Sequence, residues 1–576
     1  MAETPPLDLA SFREVWVVDT EYIARPGQRP TPVCVVASEW HSGATQRLWQ
    51  TDLVQSATPP YQVGDDCLFV AFSASGDLQV HHALGWPLPV HVLDLHVEYL
   101  NWTNGRRTQG QSSLLAALMS FGIPGMSGIA KTDTRDLILG GGPWSAEQQC
   151  EILHYCGLDV DATTALLAAM VDKIDLPQAM LRGSFVRAVA QMEWNGVPFD
   201  GMTFDSIMGQ REAIRGGLIE TVDAEFGCYQ NGAFKSDRFA DYVLRNGLAW
   251  PRTETGLMRL DQDTFREQSD IYPQIKPVSD LRRTLSGLKS NKLAVGDDGR
   301  SRTYLAPFMS ITGRNQPSTS SSIFGFPAWW RSLIRPEPGY GIAYLDWDQQ
   351  EFGIAAALSG DDAMMEAYRS GDPYMAFAIQ VGAAPVGATK NSHAEVRNLY
   401  KQCVLAVQYG MGPESLANRL GIHRFEAEHL LARHERTYHR FWAWSDATYE
   451  TALARGWIET LFGWRLHLRG DVNERSVRNF PMQANGAEMM RIACILAVED
   501  DIELCMPVHD ALLMTAPTEK MDDHVGRLHA AMEEASRIVL NGFTLTTGDE
   551  RFVYPDRFVD KRGTAMWTMV TRMLRE

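Results

Sequence analysis

The sequence predicts a multidomain protein of mixed α/β and α+β architecture, and three observations support this prediction. The chain of 576 residues is too long for one ordinary domain. Its first segment begins with the strand pattern "EVWVVDTEY" and ends in the helical run "SAEQQCEILHYCGLDVDATTALLAAMV". A second strand-to-helix unit, "GIAYLDWDQQEFGIAAALSGDD", follows a mostly helical middle. Alternating strand and helix patterns of this kind indicate sheets covered by helices.

The patterning indicates several structural segments. Residues 1–175 begin with a strand and end in a helix, and residues 176–300 are mostly helical. A polar Ser-rich stretch at 312–325 and then the second strand-to-helix unit follow. Long helices run from about 393 to 456, and the C-terminal part mixes helices with the apolar runs of "IELCMPVHDALLMTAP".

Composition places the protein in a reducing compartment. The eight cysteines are scattered without paired spacing, and no apolar run reaches the length of about 18 residues that a membrane span needs. We therefore expect a cytoplasmic monomer that does not contact a membrane. The net charge of −18 (53 basic against 71 acidic residues) argues against a polyanion partner, but "LRRTLSGLKSNK" at 281–292 is locally basic. A basic track is sufficient for such a partner.

Two aspartates lie where apolar strand patterns end. Asp346 follows "GIAYL", at the point where a strand passes into a helix, and Asp510 follows His509 in "CMPVHDALLM", which reads as a hairpin. Each motif alone is equally compatible with an ordinary solvated turn. If the strands are neighbours, the two carboxylates meet and repel unless cations offset their charge. Oxygen ligands without Cys or His suit Mg²⁺, and two such ions can assist an in-line phosphoryl displacement.

A basic helix face lies between these two motifs in the sequence. Arg397, Lys401, Leu405 and Tyr409 are spaced at i, i+4, i+8 and i+12. Two cations followed by an apolar and an aromatic residue could bind phosphates at one end and stack a base at the other. The alternative is an amphipathic helix with a solvated basic start.

The motifs together resemble those of the family A DNA polymerases, the group of bacterial DNA polymerase I. "DWDQQEFGIAAALSGDDAMMEAYRSGDPY", "RNLYKQCVLAVQYGMG" and "VHDALLMTAP" resemble the family's motifs A, B and C in order and spacing. The resemblance implies a right-hand fold in which 176–300 is the thumb, 366–459 the fingers, and 301–365 with 460–576 the palm. It implies two Mg²⁺ ions per active site, with Mn²⁺ as the alternative, held by Asp346 and Asp510.

The resemblance also implies ligand contacts. The incoming dNTP would be bound by a set on motifs A, B and C: Arg397, Lys401, Leu405, Tyr409, Glu351 and His509. Glu351 would also help to exclude a ribose 2′-hydroxyl. Primer-template DNA would be contacted by a palm set and a thumb set: Arg314, Arg475, Asn479 and Gln483 at the minor groove, and Arg282, Arg283, Lys289 and Lys292 at phosphates.

Besides the arginine missing from "QQEFG", three positions depart from the family pattern. Leu405 stands where Phe or Tyr is usual, Tyr374 where a phosphate-contacting histidine is common, and Ala511 where a glutamate usually follows the motif C aspartate. Neither predicted metal ligand is affected, so we expect activity to survive.

The first segment resembles the DEDD-type 3′–5′ exonucleases, which have an RNase H-like fold. Asp19 and Glu21 in "VVDTEY" point to one face of a strand, and Tyr155 and Asp159 in "YCGLD" lie one helical turn apart. The resemblance implies a second two-metal site, with Tyr155 orienting the attacking water. It places Asp77 in "FVAFSASGDLQ" as the remaining ligand, with Asp94 as the alternative.

The whole chain is therefore interpreted as a DNA-directed DNA polymerase with 3′–5′ proofreading, of the size common among bacteriophage replicative enzymes. Its expected partners are primer-template DNA and dNTPs, with a phage helicase, primase or processivity factor as further candidates. The alternatives are an RNA-synthesising relative and a non-catalytic DNA-binding protein.

Overall fold

The computed structural model describes residues 8–106, 111–124, 128–289, 292–408, 410–470 and 472–574. The chain divides into two compact units. The first comprises Met1–Asn195, Leu305–Gln316 and Ala343–Glu550. The second comprises Gly196–Tyr304, Pro317–Ile342 and Arg551–Glu576. The five segment boundaries expected from the sequence stay a prediction.

The N-terminal part of the first unit is built on a five-stranded sheet in the order β3-β2-β1-β4-β5. The strands β1, β2 and β3 are antiparallel neighbours, whereas β4 and β5 run parallel to β1. The sheet has the mixed α/β character expected from the sequence, and its RNase H-like assignment stays a prediction. The strands are Glu14–Ile23 (β1), Thr31–Glu39 (β2), Thr45–Trp49 (β3), Cys67–Ala71 (β4) and His91–Asp94 (β5).

Helices cover this sheet and bury its Val-rich faces, including Val15, Val17 and Val36. The long helix expected from the sequence begins after Ser145, whose hydroxyl caps it by accepting from the Gln148 N–H. The helices are Gln50–Leu53 (α1), Ser75–Leu84 (α2), Leu95–Thr103 (α3), Leu114–Ser120 (α4), Gly128–Leu139 (α5), Ala146–Met170 (α6) and Leu176–Asn195 (α7).

A buried ion pair joins α3 to α7. The Arg182 guanidinium donates from Nε and Nη2 to the two oxygens of Glu98, each at 2.7 Å. Both side chains are about 95% buried, with exposures of 4% and 5%. A third donor, Arg182 Nη1, bonds the Phe462 carbonyl. The fork geometry of arginine satisfies both carboxylate oxygens at once.

We expect Glu98→Gln to lower the free energy of unfolding by about 3–5 kcal/mol, because it leaves the Arg182 charge buried without a counter-charge. Thermal or denaturant unfolding measures this loss. The double variant Glu98→Met with Arg182→Met is the control and should lose clearly less, since it removes both charges. Equal losses in the two variants would contradict the explanation.

Residues 196–304 are mostly helical, as their sequence predicts, with short antiparallel strand pairs. The strands are Val197–Pro198 (β6), Tyr229–Gln230 (β7), Ala233–Phe234 (β8) and Arg300–Ser301 (β9). The helices are Gly201–Gly209 (α8), Arg211–Phe226 (α9), Ser236–Arg245 (α10), Gln262–Ile271 (α11) and Lys276–Lys289 (α12). The predicted basic stretch therefore lies on α12 and the segment that follows it.

A second sheet, in the order β13-β14-β10-β15, carries the strand ends that the sequence analysis singled out. It is formed by Tyr340–Trp347 (β10), Leu504–Val508 (β13), Ala511–Pro517 (β14) and Thr547–Val553 (β15). A small hairpin, Trp457–Glu459 (β11) with Arg465–His467 (β12), precedes the longest helix of this part.

The helices around this sheet follow the apolar spacing of the sequence. Those between β10 and β11 are Gln350–Ser359 (α13), Asp362–Arg369 (α14), Pro373–Gln380 (α15), Ala394–Gln408 (α16), Pro413–Leu420 (α17), Arg424–Thr437 (α18) and His439–Arg455 (α19). The later ones are Glu474–Glu499 (α20) and Met521–Val539 (α21), whereas Thr564–Met573 (α22) belongs to the second unit. None of the helices in the described ranges combines the length and the apolar character that crossing a bilayer requires.

Candidate active sites

Asp346 and Asp510 lie at the ends of neighbouring strands, β10 and β14. Asp346 is the next-to-last residue of β10, and Asp510 stands in the turn between β13 and β14. His509 takes a left-handed backbone conformation (φ +57°), which makes this turn tight enough for β14 to start at once. The Trp347 N–H points at the Asp510 carbonyl across 3.4 Å. The two aspartates predicted to meet are thus brought to one end of the same sheet.

The acidic group at this strand end is larger than the sequence indicated. Burial, followed by the negative charges of Asp510, Asp348 and Glu550, raises the pKa of Asp346 to about 6. Asp348 Oδ2 accepts from Thr546 Oγ1 at 3.0 Å, which fixes its carboxylate beside the start of β15. Carboxylate oxygens gathered around Asp346 are a donor set suited to hard divalent cations.

Two of these acids, Asp348 and Glu550, stand outside the predicted pair of metal ligands. Asp348 stands two residues after Asp346, within the same motif, so its position was a usable signal. Glu550 lies on β15, far along the chain, and no local pattern marks it. The backbone of β15 runs close to the site, because a β-carbon placed on Gly548 would lie 3.5 Å from Asp346 Oδ1.

Helix α16 presents the predicted basic face. Arg397 Nε donates to Asp372 Oδ2 at 2.5 Å. The Tyr374 ring lies beside both cations, with its centroid 5.4 Å from the Arg397 guanidinium carbon and 5.7 Å from Lys401 Nζ. Lys401 is exposed and Leu405 is half-buried, whereas Tyr409 lies outside the described residues. Tyr374, a departure from the family pattern, therefore supports the two cations.

We expect Tyr374→Ala to raise the KM for dNTPs by about 5–10-fold, because two cation–π contacts of about 0.5–1 kcal/mol each position Arg397 and Lys401. Steady-state primer extension measures this change. Tyr374→Phe keeps the ring and is expected to behave like the wild type. A Phe variant as impaired as the Ala variant would assign the effect to the phenol hydroxyl instead.

The predicted minor-groove set lies on α20 and near it. Arg475, Asn479 and Gln483 recur every four residues on α20, and none of the three side chains is buried. The Arg314 guanidinium lies close to α20, since Nη2 is 3.4 Å from the position of a β-carbon on Gly486. Glu351 lies in the first turn of α13, directly after the Asp346 strand. Their DNA and nucleotide contacts stay predictions.

The predicted thumb set of the second unit splits into two kinds of residue. Arg283, Lys289 and Lys292 are exposed. Arg282 instead packs its guanidinium 4.1 Å from the Phe234 ring and 4.3 Å from the Phe265 ring, and it donates to the Leu260 carbonyl. Arg282 thus has a packing role within this unit, which its position in a basic run could not indicate.

A second acidic site lies where β1 meets α6. One carboxylate oxygen from each of Asp19, Glu21 and Asp159 falls within 4.8 Å of the other two. Burial, followed by the charges of Glu21, Asp77 and Asp159, raises the pKa of Asp19 well above its usual range. Asp19 Oδ2 is also buried with no hydrogen-bond partner. A buried carboxylate oxygen without a donor, among like charges, fits a divalent cation.

The other predicted residues of this site have distinct positions. Asp77 Oδ1 accepts from Thr20 Oγ1 at 2.7 Å, and Asp77 is not part of the three-carboxylate group. Asp94 caps α3 and accepts from the backbone N–H groups of Ser73 and Ala74, each at 2.9 Å. Asp94 is therefore committed to backbone donors, and the assignment of Asp77 as a ligand stays a prediction.

Tyr155 lies on α6 one turn before Asp159. Burial, followed by the charges of Asp159, Glu21 and Asp19, raises the pKa of the Tyr155 phenol well above its usual range. The phenol is therefore protonated at neutral pH and can donate a hydrogen bond.

Comparisons with known proteins agree with this geometry. A model of DNA polymerase family A matches residues 257–546. DNA polymerase I of Aquifex aeolicus is 25% identical over 405 residues, which cover 66% of this chain and 68% of that protein. The corresponding enzyme of Pseudomonas aeruginosa is 26% identical over 399 residues, 62% of this chain and 43% of the relative. The chain thus spans less than half of the length of the Pseudomonas relative.

A solved structure covers nearly the whole chain. The POL domain of Pol1 from M. smegmatis, in complex with DNA primer-template and dNTP, superposes with a TM-score of 0.71 at 18% identity, over 95% of this chain and 96% of that one. The fold is that of a right-hand polymerase. The family model covers half of the chain, and the chain belongs to DNA polymerase family A. The phage source and the helicase, primase or processivity partners stay predictions.

Proposed function

We propose that the chain is a template-directed DNA polymerase that extends a primer with dNTPs. The observation that carries the proposal is the meeting of Asp346 and Asp510 at one end of a sheet, since strand pairing aligns two motifs far apart in the sequence. The bacterial relatives named above are DNA polymerases, and the solved relative holds DNA primer-template and dNTP. Both facts favour the same substrates here.

Asp346 and Asp510 would hold the divalent cations, for which Mg²⁺ is the first candidate and Mn²⁺ the second. When bound, such ions stabilise the negative charge on the attacking and leaving oxygens. Arg397 and Lys401 would bind the triphosphate, since a guanidinium and an ammonium are the side chains that pair best with phosphate oxygens. Asp372 and Tyr374 orient these cations before the nucleotide arrives.

We further propose a 3′–5′ exonuclease activity in the N-terminal part. Asp19, Glu21 and Asp159 would hold divalent cations there, because their oxygens converge and one is buried without a donor. Tyr155, protonated at neutral pH, would donate a hydrogen bond that orients the attacking water. The two sites would act on the same strand end, one adding and the other removing a nucleotide.

Primer extension tests both proposals in one assay. With a 5′-labelled primer on a longer template, Mg²⁺ and dNTPs, we expect elongation; without dNTPs, we expect shortening from the 3′ end. Replacing dNTPs by rNTPs should abolish elongation. Faster elongation with rNTPs would identify an RNA-synthesising enzyme, and tight DNA binding without any turnover would identify a non-catalytic DNA-binding protein.

A further inference from the structure

The C-terminal end of α3 is joined to the β11–β12 hairpin by hydrogen bonds. The Arg465 N–H donates to Asn101 Oδ1 at 2.7 Å, and the His467 N–H donates to the Asn104 carbonyl at 3.0 Å. Asn104 Nδ2 in turn bonds the Arg465 carbonyl at 2.9 Å. These three hydrogen bonds fix the spacing between the two elements.

Gly105 makes this approach close. Its φ of +78° is a left-handed conformation, and a β-carbon there would lie 2.1 Å from the His467 carbonyl oxygen. The chain therefore turns sharply at Gly105, and the next residue, Arg106, is placed beside the hairpin. All of these residues belong to the first unit.

Three arginines converge at this point, and we call Arg106, Arg465 and Arg469 the arginine cluster. Burial, followed by the charges of Arg469 and Arg465, lowers the pKa of Arg106, so the three guanidiniums repel one another. Arg465 is paired with Glu459 at 2.9 Å and lies over the Trp457 ring at 4.2 Å. Within the described ranges, Arg106 and Arg469 have no ion-pair partner, and both are exposed.

His467 lies among these charges and adds an independent observation. The residue is 8% exposed, and its Nδ1 atom is buried without a hydrogen-bond partner. Burial, followed by the charges of Arg106, Arg465 and Arg469, lowers the pKa of His467 to about 4, so the ring is neutral at pH 7. The like charges held together beside this imidazole ring make a local positive surface suited to an anionic partner.

We propose that the arginine cluster binds the phosphodiester backbone of a single DNA strand. Phosphate oxygens would offset the repulsion between Arg106 and Arg469, and planar guanidiniums bind such oxygens in pairs. The choice of DNA as the anion rests on the proposed function, in which both the template ahead of the primer and the strand being degraded are single-stranded. Contacts of this kind position a strand without reading its sequence.

The test is the salt dependence of binding to a labelled 20-nucleotide oligo-dT, measured by fluorescence anisotropy. EDTA is present so that neither proposed activity operates. We expect Arg106→Gln with Arg469→Gln to weaken binding and to reduce the slope of log K against log salt by about 1.4, since each phosphate contact to a single strand contributes about 0.7. Both side chains are exposed and their charges repel each other, so the double variant should unfold at a temperature no lower than that of the wild type.

The matched control is Arg537→Gln, which removes an exposed arginine paired with Glu534 on α21 and should leave the slope unchanged. A blunt duplex of the same length forms the second arm. An unchanged slope for oligo-dT in the double variant would overturn the site. A reduced slope for the duplex alone would overturn the assignment to a single strand. Neither result touches the proposed function, because primer extension and primer shortening by the wild type test it in a separate assay.

Discussion

Asp346→Asn is expected to reduce primer extension by at least about 100-fold while nucleotides are still removed from the 3′ end. Removing a residue that only hydrogen-bonds to a metal ligand typically costs about 10–100-fold in activity. The loss should be larger here, because Asp346 itself would be a metal ligand. Single-turnover extension on a labelled primer-template, beside shortening without dNTPs, measures both activities. Extension at the wild-type rate would mean that Asp346 has no catalytic role.

The same substitution should stabilise the metal-free protein. The pKa of Asp346 is about 6 in the folded chain, against an ordinary value of 3.8. Between these pH values the folded state binds more protons than the unfolded state, so this carboxyl lowers stability as the pH rises from about 4 to about 6. Because Asp346 is exposed at the end of β10, solvent screening reduces the effect to about 1 kcal/mol. Thermal unfolding in EDTA at pH 7.5 should therefore show a higher Tm for the Asn variant.

Asp19→Asn is expected to reduce the rate at which a single-stranded oligonucleotide is shortened by at least about 100-fold, while primer extension is retained. The physical reason is the convergence of the Asp19, Glu21 and Asp159 oxygens within 4.8 Å. Since the pKa of the buried Asp19 carboxyl is raised, the Asn variant should also be more stable without metal at neutral pH.

Asp77→Asn is the matched comparison for this second prediction. Asparagine can still accept the hydrogen bond from Thr20 Oγ1, which Asp77 accepts at 2.7 Å. Because Asp77 stands outside the three-carboxylate group, we expect a loss of no more than about 10-fold in shortening, the lower end of the effect of an outer-shell partner. A loss equal to that of Asp19→Asn would make Asp77 a metal ligand, as the sequence resemblance implied.

The elements that carry both candidate sites could be predicted because their signals are local. The alternation around Asp19 and Glu21 places both on one face of β1, and the spacing of Tyr155 and Asp159 places both on one face of α6. The apolar runs around His509 and Asp510 likewise indicated a hairpin, which is present as β13 and β14.

No local sequence pattern indicates which distant segments come into contact. The influence of Glu550 on Asp346 depends on β15 joining the sheet beside β10. The hydrogen bond from Thr20 to Asp77 depends on how α2 packs against β1. The packing of Arg282 against two phenylalanine rings likewise depends on the tertiary structure.

The sequence by itself determined which strands and helices form and which acids stand at their ends, because backbone periodicity and turn chemistry act over a few residues. Only the tertiary structure decided which charges share a site. Sheet order and helix packing bring together residues hundreds of positions apart, and electrostatic energy depends on the distances that result. The arginine cluster, assembled from α3 and a hairpin far along the chain, is defined by that packing alone.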